Sequence, residues 1–319
     1  MAQRAPLLAA LGVILAVARA NAAPPESVTA VRDAYPTLSP EGKTLLFVSN
    51  RSGVQALWTA SADGSGVKLW FEHGDGAPTT PAWSPDGKTV AFAMRPDGAA
   101  EDESDIFTLD AGGRTLRRLT DAPGDDSHPH WSADGKRIFF NSPRATPNLK
   151  APWNEQQFGI YSVGSDGSGL RRHFQCDTVC TYPVPSPDGK HIAFRKVLKR
   201  EGFDWEQKSV ASDSEVFVAD MDGTHQRNLS NDPHFDGWPV WSRDGRSIVF
   251  ASARDGQPRA AQLFRVYLDD GRIERLTAVD GFSRAQPSVA ADGTIWFYES
   301  RENERTEIGH VAKIPTRGR

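Results

Sequence analysis

One eight-residue pattern, repeated six times, leaves this chain very few folds to adopt. Tyr35-Pro-Thr-Leu-Ser-Pro-Glu-Gly42 returns as Thr80-Pro-Ala-Trp-Ser-Pro-Asp-Gly87 and as His128-Pro-His-Trp-Ser-Ala-Asp-Gly135. It returns again as Tyr182-Pro-Val-Pro-Ser-Pro-Asp-Gly189, Trp238-Pro-Val-Trp-Ser-Arg-Asp-Gly245 and Gln286-Pro-Ser-Val-Ala-Ala-Asp-Gly293. The spacing is that of a repeat architecture, in which each unit buries its apolar surface against the next.

Every copy carries the same strand signals. A β-rich run with Phe at or near its end follows the Asp-Gly turn, with Phe47, Phe92, Phe140, Phe194, Phe250 and Phe297 in equivalent places. Asp-Gly between apolar runs is a hairpin signal, because Gly takes positive φ without a steric cost. A third run follows a variable loop, as at Leu57-Trp58, Ile106-Phe107 and Leu263-Phe264. A Gly-bearing turn then leads to a short fourth strand such as Leu116-Arg-Arg-Leu-Thr120. Four antiparallel strands recurring every ~40–50 residues are propeller blades. The expected fold is all-β, a six-bladed β-propeller over residues 35–319.

The sixth copy lacks a fourth strand, because Val311-Ala-Lys-Ile314 lies close to the end of the chain. Residues 23–34 contain the β-prone run Ser27-Val-Thr-Ala-Val31, which is expected to complete that blade and close the ring. Residues 1–22 read as a signal peptide. Arg4 gives a positive start, an apolar run follows, and Ala20-Asn21-Ala22 is a small-residue cleavage site. The expected location is therefore periplasmic or secreted, with no membrane span in the mature chain. In an oxidising compartment the C-x3-C pair Cys176 and Cys180 is expected to form a local disulfide, free thiols or metal ligation being the alternatives.

The Pro-x-Trp-Ser-Pro-Asp-Gly-Lys pattern, best kept at Pro81–Lys88 and Pro129–Lys136, resembles the PD40 (WD40-like) repeats of TolB-like β-propellers. That resemblance runs from about residue 27 to 314 and implies fold more firmly than function, since such propellers include binding proteins, peptidase domains and lyases.

Blade topology sorts the loops onto two faces. The short Ser-Pro-Asp-Gly hairpins share one. The long insertions, residues 95–104, 142–158 and 195–214, share the other, which is the expected binding face. The residue before each Pro enters the innermost strand at the mouth of the central channel on that long-loop face. These six are Tyr35, Thr80, His128, Tyr182, Trp238 and Gln286. Either they contact a sugar or peptide with flat rings and polar tips, or they plug the channel.

Other candidates have plainer explanations. His128 and His130, with His234 and the neighbouring Asp125 and Asp126, could complete a metal centre, as in TolB-like pectate lyases; each also fits as a channel or interface residue. Arg51, Arg144, Arg254 and Arg301, with Arg95 and Lys196 close to the same place, form either a cationic ring or a set of ion pairs to neighbouring blades. The acidic run 101–105 and the basic run 195–200 read as solvated loops.

A net charge of −4 with 24% charged residues removes the basic field that nucleic-acid binding needs. No G-x-S-x-G, H-E-x-x-H or P-loop occurs, and the repeats fill the chain from residue 35 onward. The expected function is an exported, non-catalytic propeller without a cofactor, binding an envelope protein, peptide or glycan. A metal-assisted glycan lyase or hydrolase on the same propeller is the alternative, and a structural envelope subunit a third reading.

Overall fold

Each Asp-Gly hairpin joins two strands whose apolar residues alternate, so every sheet presents one apolar side to the preceding sheet and one to the next. In the computed structural model, residues 31–74, 76–100, 103–151, 155–198, 214–255, 261–303 and 306–314 are described, with backbone only at 302–303 and 306–308. Their strands form six antiparallel sheets in chain order. Blade one holds Asp33–Leu38, Thr44–Ser49, Ala56–Ser61 and Lys68–Phe71; blade two holds Thr79–Trp83, Thr89–Met94, Asp105–Asp110 and Leu116–Arg118. Blade three runs Ser127–Trp131, Arg137–Ser142, Gly159–Gly164 and Arg171–Gln175. Blade four runs Cys180–Pro185, His191–Val197, Ser214–Asp220 and Arg227–Asn228. Blade five runs Asp236–Trp241, Ser247–Ser252, Gln262–Tyr267 and Ile273–Arg275. Blade six has three strands among the described residues: Ser283–Val289, Ile295–Asn303 and Thr306–Ile314. The fold is the six-bladed propeller that the repeat predicts.

The core lies between blades. Leu46, Leu57, Phe92 and Leu109 pack together across the seam between blades one and two, and Phe139, Ile160, Phe174 and Phe194 do so between blades three and four. Phe47 packs against Trp296 and Val311, so blade six is sealed onto blade one by the same kind of seam. Ring closure is thus carried by side-chain packing among the described residues. Of the run expected to supply the closing strand, residues 27–30 lie outside them. Arg32 makes a parallel bridge to Gly309, and Ser214 makes the equivalent parallel bridge to Phe235 between blades four and five. The Arg32 bridge is therefore a blade-to-blade link of a repeated kind.

The turn chemistry explains the repeat. In blade two the Ser84 hydroxyl donates to Asp86 (2.7 Å) and accepts from the Thr89 amide (3.0 Å), while the Lys88 amide donates to Asp86 (3.1 Å). Gly87 then takes a φ of +70°. That left-handed backbone is what makes this position need Gly. Ser132–Asp134, Ser186–Asp188 and Ser242–Asp244 repeat the Ser–Asp contact.

The conserved-looking place of the second-strand arginines also has a structural cause. Arg51 pairs with Asp33 at 2.6 Å, Arg254 with Asp236 at 3.2 Å, and Arg144 with Asp126. Each guanidinium lies over an aromatic ring of its own sheet, as Arg51 does over Phe47 and Trp58. These are ion pairs within a blade, joining the entry of the innermost strand to the exit of the second, not links to neighbouring blades. Arg301 instead lies over the Phe282 ring at 4.6 Å.

Candidate functional site

The innermost strands are interrupted at one place in every blade. Pairing skips between Ala34 and Thr37, between Thr79 and Ala82, and between Thr181 and Val184, with the same skip in the other three blades. At each skip one residue adopts a left-handed backbone: Tyr35 (φ 50°), Thr80 (49°), His128 (55°), Tyr182 (55°), Trp238 (51°) and Gln286 (53°). These are the six residues singled out before the repeated Pro. A β-bulge re-aims a side chain. Positive φ at a non-Gly residue is a strained state that the surrounding sheet must hold in place. Here the bulge turns all six side chains toward the central axis, where all six line one cavity of about 300 Å³.

The cavity has a layered wall. Beyond the bulge residues, the next inward-facing positions are Thr37, Ala82, His130, Val184, Val240 and Ser288, which also line it. The first layer contains Tyr, His and Trp rings and narrows the axis, whereas the second is mostly small and leaves space. Within the first layer, the His128 and Tyr182 rings lie 3.6 Å apart between centroids, and Tyr182 meets Trp238 edge-on at 6.0 Å. The wall continues past the second layer to the exposed Pro85 and Ala133 in the short hairpins. Among the described residues no long-loop residue contributes to it. The cavity therefore opens between the short turns, and the aromatic layer forms its inner end on the long-loop side. This differs from the expectation that the ring is a mouth on the long-loop face. No single repeat shows that small second-layer side chains hollow out the opposite half of the axis.

No Asp, Glu, Lys or Arg lines the cavity, but the buried Arg195 guanidinium stands directly behind the aromatic layer, 5.4 Å from the Tyr182 ring centroid. Burial pushes the His128 imidazole down to about 3 and His130 to about 4, so both are uncharged near neutral pH. His128 Nδ1 lies 2.8 Å from Asn141 Oδ1, an acceptor, so Nδ1 carries the proton and Nε2 does not. The Tyr182 amide also donates to that oxygen at 3.3 Å, and the Asn141 amide group donates to Ser127 Oγ at 2.9 Å, which fixes the orientation of the carboxamide. Between blades six and one, the Tyr35 amide donates to Gln286 Oε1 at 2.9 Å. Thr80 Oγ1, Ser288 Oγ and the Trp83 indole Nε1 are buried away from the cavity itself and have no hydrogen-bond partner. By contrast, the equivalent indoles of Trp131 and Trp241 donate to the preceding blades' Ala82 and Val184 carbonyls at 3.0 and 2.9 Å.

Two sequence readings change here. Arg195 lies within a strand and is 2% exposed, with Nε donating to Thr181 Oγ1 at 3.1 Å and the guanidinium over the Tyr182 and Phe235 rings. It backs the aromatic layer and does not belong to a solvated basic loop. The strand runs on through Arg195 to Val197 and is buried almost throughout, which a basic run read as a solvated loop does not display. The candidate metal centre also separates. His128 and His130 share the cavity, but His234 is held by Asp232 at 2.6 Å outside it, Asp126 is paired with Arg144, and Asp125 accepts from Ser104 and from Ser127 (3.0 Å). The described residues hold no group of three or more His, Cys, Asp or Glu placed to bind a metal ion. Cys176 and Cys180 are joined as a disulfide with Cα atoms 6.1 Å apart, bridging blade three's last strand to blade four's first.

Six sheets around an axis, with a cavity walled by their innermost strands, define a β-propeller. The TolB β-propeller domain family (PD40) matches residues 70–214 and 207–317, well over half of the sequence, and the chain belongs to that family. An uncharacterized protein of Agrobacterium fabrum is 30% identical over 173 residues, covering 53% of this chain and 52% of its own. The structure of a putative TolB from Agrobacterium tumefaciens aligns with a TM-score of 0.60 at 21% identity, covering 89% of this chain and 91% of that one. Oligogalacturonate lyase in complex with manganese aligns with a TM-score of 0.55 at 15% identity, covering 87% and 73%. At such identities the likeness is one of fold. The chain spans about half the length, or less, of the curated relatives it matches. No helix among the described residues is long and apolar enough to cross a membrane.

Proposed function

We propose that this protein is an exported, non-catalytic propeller that binds a protein, peptide or glycan of the cell envelope through its central channel. The observation that carries this reading is the cavity of about 300 Å³ walled by the six bulge residues. That volume is at the lower end of the ~300–1,000 Å³ of small-molecule pockets. The aromatic layer supplies flat area for contact. Entry is from the short-turn face, where the wall reaches Pro85 and Ala133. The export signal of residues 1–22 and the disulfide of Cys176 and Cys180 support an oxidising location.

The lyase alternative has a neighbour of like fold but no matching constellation of side chains: His128 and His130 stand without a carboxylate in the wall. The test is retention of envelope saccharides and peptides by the wild-type protein and by the Tyr182→Ala/Trp238→Ala variant, each with and without chelator. Loss in the double variant and indifference to chelation are expected. Retention that survives the double variant but falls on chelation, or on His128→Ala, would transfer the function to the lyase reading.

A further inference from the structure

The residue two places before each bulge ties the innermost strand to its surroundings, and blade four makes that tie differently. Asp33, Asp126 and Asp236 stand two places before Tyr35, His128 and Trp238, each paired with the Arg eighteen residues later. In blade six the charges are exchanged, with Arg284 Nε donating to Glu299 at 2.6 Å. Blade two has Pro78 there, whose carbonyl accepts from Gln55 of blade one at 3.1 Å. Cys180 holds the position in blade four, facing Lys196 as Asp33 faces Ser49 and Asp236 faces Ser252. The place of the Arg is taken by Leu198, 39% exposed, so no such ion pair can form. Cys180 is bonded instead to Cys176, just past blade three's last strand.

From this exchange we infer that the Cys176–Cys180 disulfide is a positioning element of the channel's aromatic layer. It holds Tyr182 against His128, and the layer takes its shape only in the oxidised chain. The inference concerns the wall itself, and its bearing on binding rests on the channel being the binding site. The anchoring half of the bond belongs to blade three. The Cys176 amide donates to the Phe158 carbonyl at 3.1 Å, and both cysteines pack among Phe139, Ile160, Phe174 and Phe194. Tyr182, two residues past Cys180, must cross the same seam to meet His128 of blade three, with ring centroids 3.6 Å apart. An Asp–Arg pair would tie blade four only to itself. The disulfide ties it to the blade that Tyr182 touches.

A covalent tie also depends on its surroundings in a way that an ion pair does not. The bond forms when the two thiols pass two electrons and two protons to a disulfide-bearing oxidant, whose own S–S bond breaks to give two thiols. Both cysteines are buried, so the finished bond is shielded from thiols in solution. Oxidation thus sets this part of the layer as the chain folds in its compartment.

The experiment compares the mature, disulfide-bonded protein with Cys176→Ala/Cys180→Ala and with wild type refolded in a dithiol reductant. Its readout is the His128 imidazole by NMR, assigned by the signal that His128→Gln removes. In the bonded protein that ring packs on Tyr182 and protonates at about 3. Without the bond its protonation midpoint should rise by about one pH unit or more, as the ring loses its cover. Cys176→Ala/Cys180→Asp/Lys196→Ser/Leu198→Arg rebuilds the ion pair of the other blades and should bring the midpoint back. Phe194 and Phe217 pair in blade four as Phe250 and Phe264 do beneath Arg254, so the rings for the new Arg are in place. Leu109→Ala, in the seam between blades one and two, should lower the melting temperature without moving that midpoint. An unchanged midpoint in both bond-free forms would overturn the inference and leave the disulfide a stabiliser alone. A bond-free chain that fails to fold, or a midpoint that Leu109→Ala moves equally, would overturn it too, since the bond would then act through the whole propeller. A raised midpoint that the rebuilt pair does not restore would break the equivalence on which the inference stands. None of these readouts uses a ligand, so a failure of the channel reading would leave the inference intact.

Discussion

The His128 imidazole lies against the Tyr182 phenol with ring centroids 3.6 Å apart, across the seam between blades three and four. Asn141 holds both partners, accepting from His128 Nδ1 and from the Tyr182 amide. The contact locks two neighbouring bulges into one unit. It also fixes which imidazole nitrogen carries the proton, leaving Nε2 as an acceptor.

The first prediction follows from that burial. The folded-state pKa values of His128 and His130, about 3 and about 4, lie below the unfolded value of 6.5. The unfolded chain then binds more protons as pH falls below 6.5, so these groups' contribution is complete above 6.5 and is lost on acidification, down to about 4 for His130 and about 3 for His128. His130→Gln should flatten the dependence of unfolding free energy on pH between 6.5 and 4. Parallel curves for wild type and variant would refute the burial argument. In an NMR titration of the folded protein His225, exposed and raised by its hydrogen bond to Asp220, should protonate above the ordinary histidine value.

A second prediction tests where the core lies. Phe92 is fully buried among Leu46, Leu57 and Phe107 at the seam between blades one and two. Phe92→Ala should cost about 3–5 kcal/mol of stability, the usual cost of emptying an aromatic core site. Leu170→Ala, at a side chain 52% exposed, should stay within about 0.5 kcal/mol. Chemical denaturation of both variants decides the matter; similar losses would mean that the seams are not the core.

The blade architecture was legible because the repeat writes it six times. Ser, Asp and Gly at fixed offsets encode a hairpin by local hydrogen bonds, and Phe at a fixed offset encodes a seam. The Asp–Arg pairs were half legible. The arginines stand out, but their partners Asp33, Asp126 and Asp236, each eighteen residues earlier, carry no local motif that marks them as partners. The constant separation was the available signal. The bulges were not legible, since a residue before Pro is expected to be extended; only the tertiary ring holds it left-handed. The direction in which the cavity opens depends on the relative sizes of two layers of side chains from six blades, which no single repeat displays.

The third prediction concerns those pairs. Asp236 is fully buried, and burial pushes its carboxyl up to about 6 against the pull of Arg254. Removing one partner leaves the other without compensation. Asp236→Ala should therefore cost about 3–5 kcal/mol, while Asp236→Ala/Arg254→Met should recover much of the loss. A double-mutant cycle in urea measures this. Additive losses would show that the two side chains act independently.

The fourth prediction concerns redox state. Cys176 and Cys180 are the only cysteines in the sequence and are bonded to each other. Protein recovered from its native compartment and denatured without reductant should show no thiol. Reduction should lower stability by about 2 kcal/mol or less, because the closed loop is short. Two titratable thiols would argue against both the bridge and export.

The last prediction separates binding from folding on the channel itself. Trp238 lines the cavity, and its indole meets Tyr182 edge-on and Phe235 at 4.9 Å. Truncating it removes a large amphipathic surface from the wall, so Trp238→Ala should weaken ligand binding by ~1–3 kcal/mol. Asp244 sits in the hairpin of the same blade, where it accepts from Ser242 at 2.7 Å and from the Arg246 amide at 3.0 Å, and it does not line the cavity. Those hydrogen bonds hold its carboxyl below the ordinary value. Asp244→Ala should therefore shift the melting temperature while leaving affinity unchanged at a temperature where the variant is folded. Titration calorimetry beside a melting curve distinguishes the two effects. Affinity that followed stability in both variants would mean that the wall acts only through the fold, and the channel would lose its standing as the site.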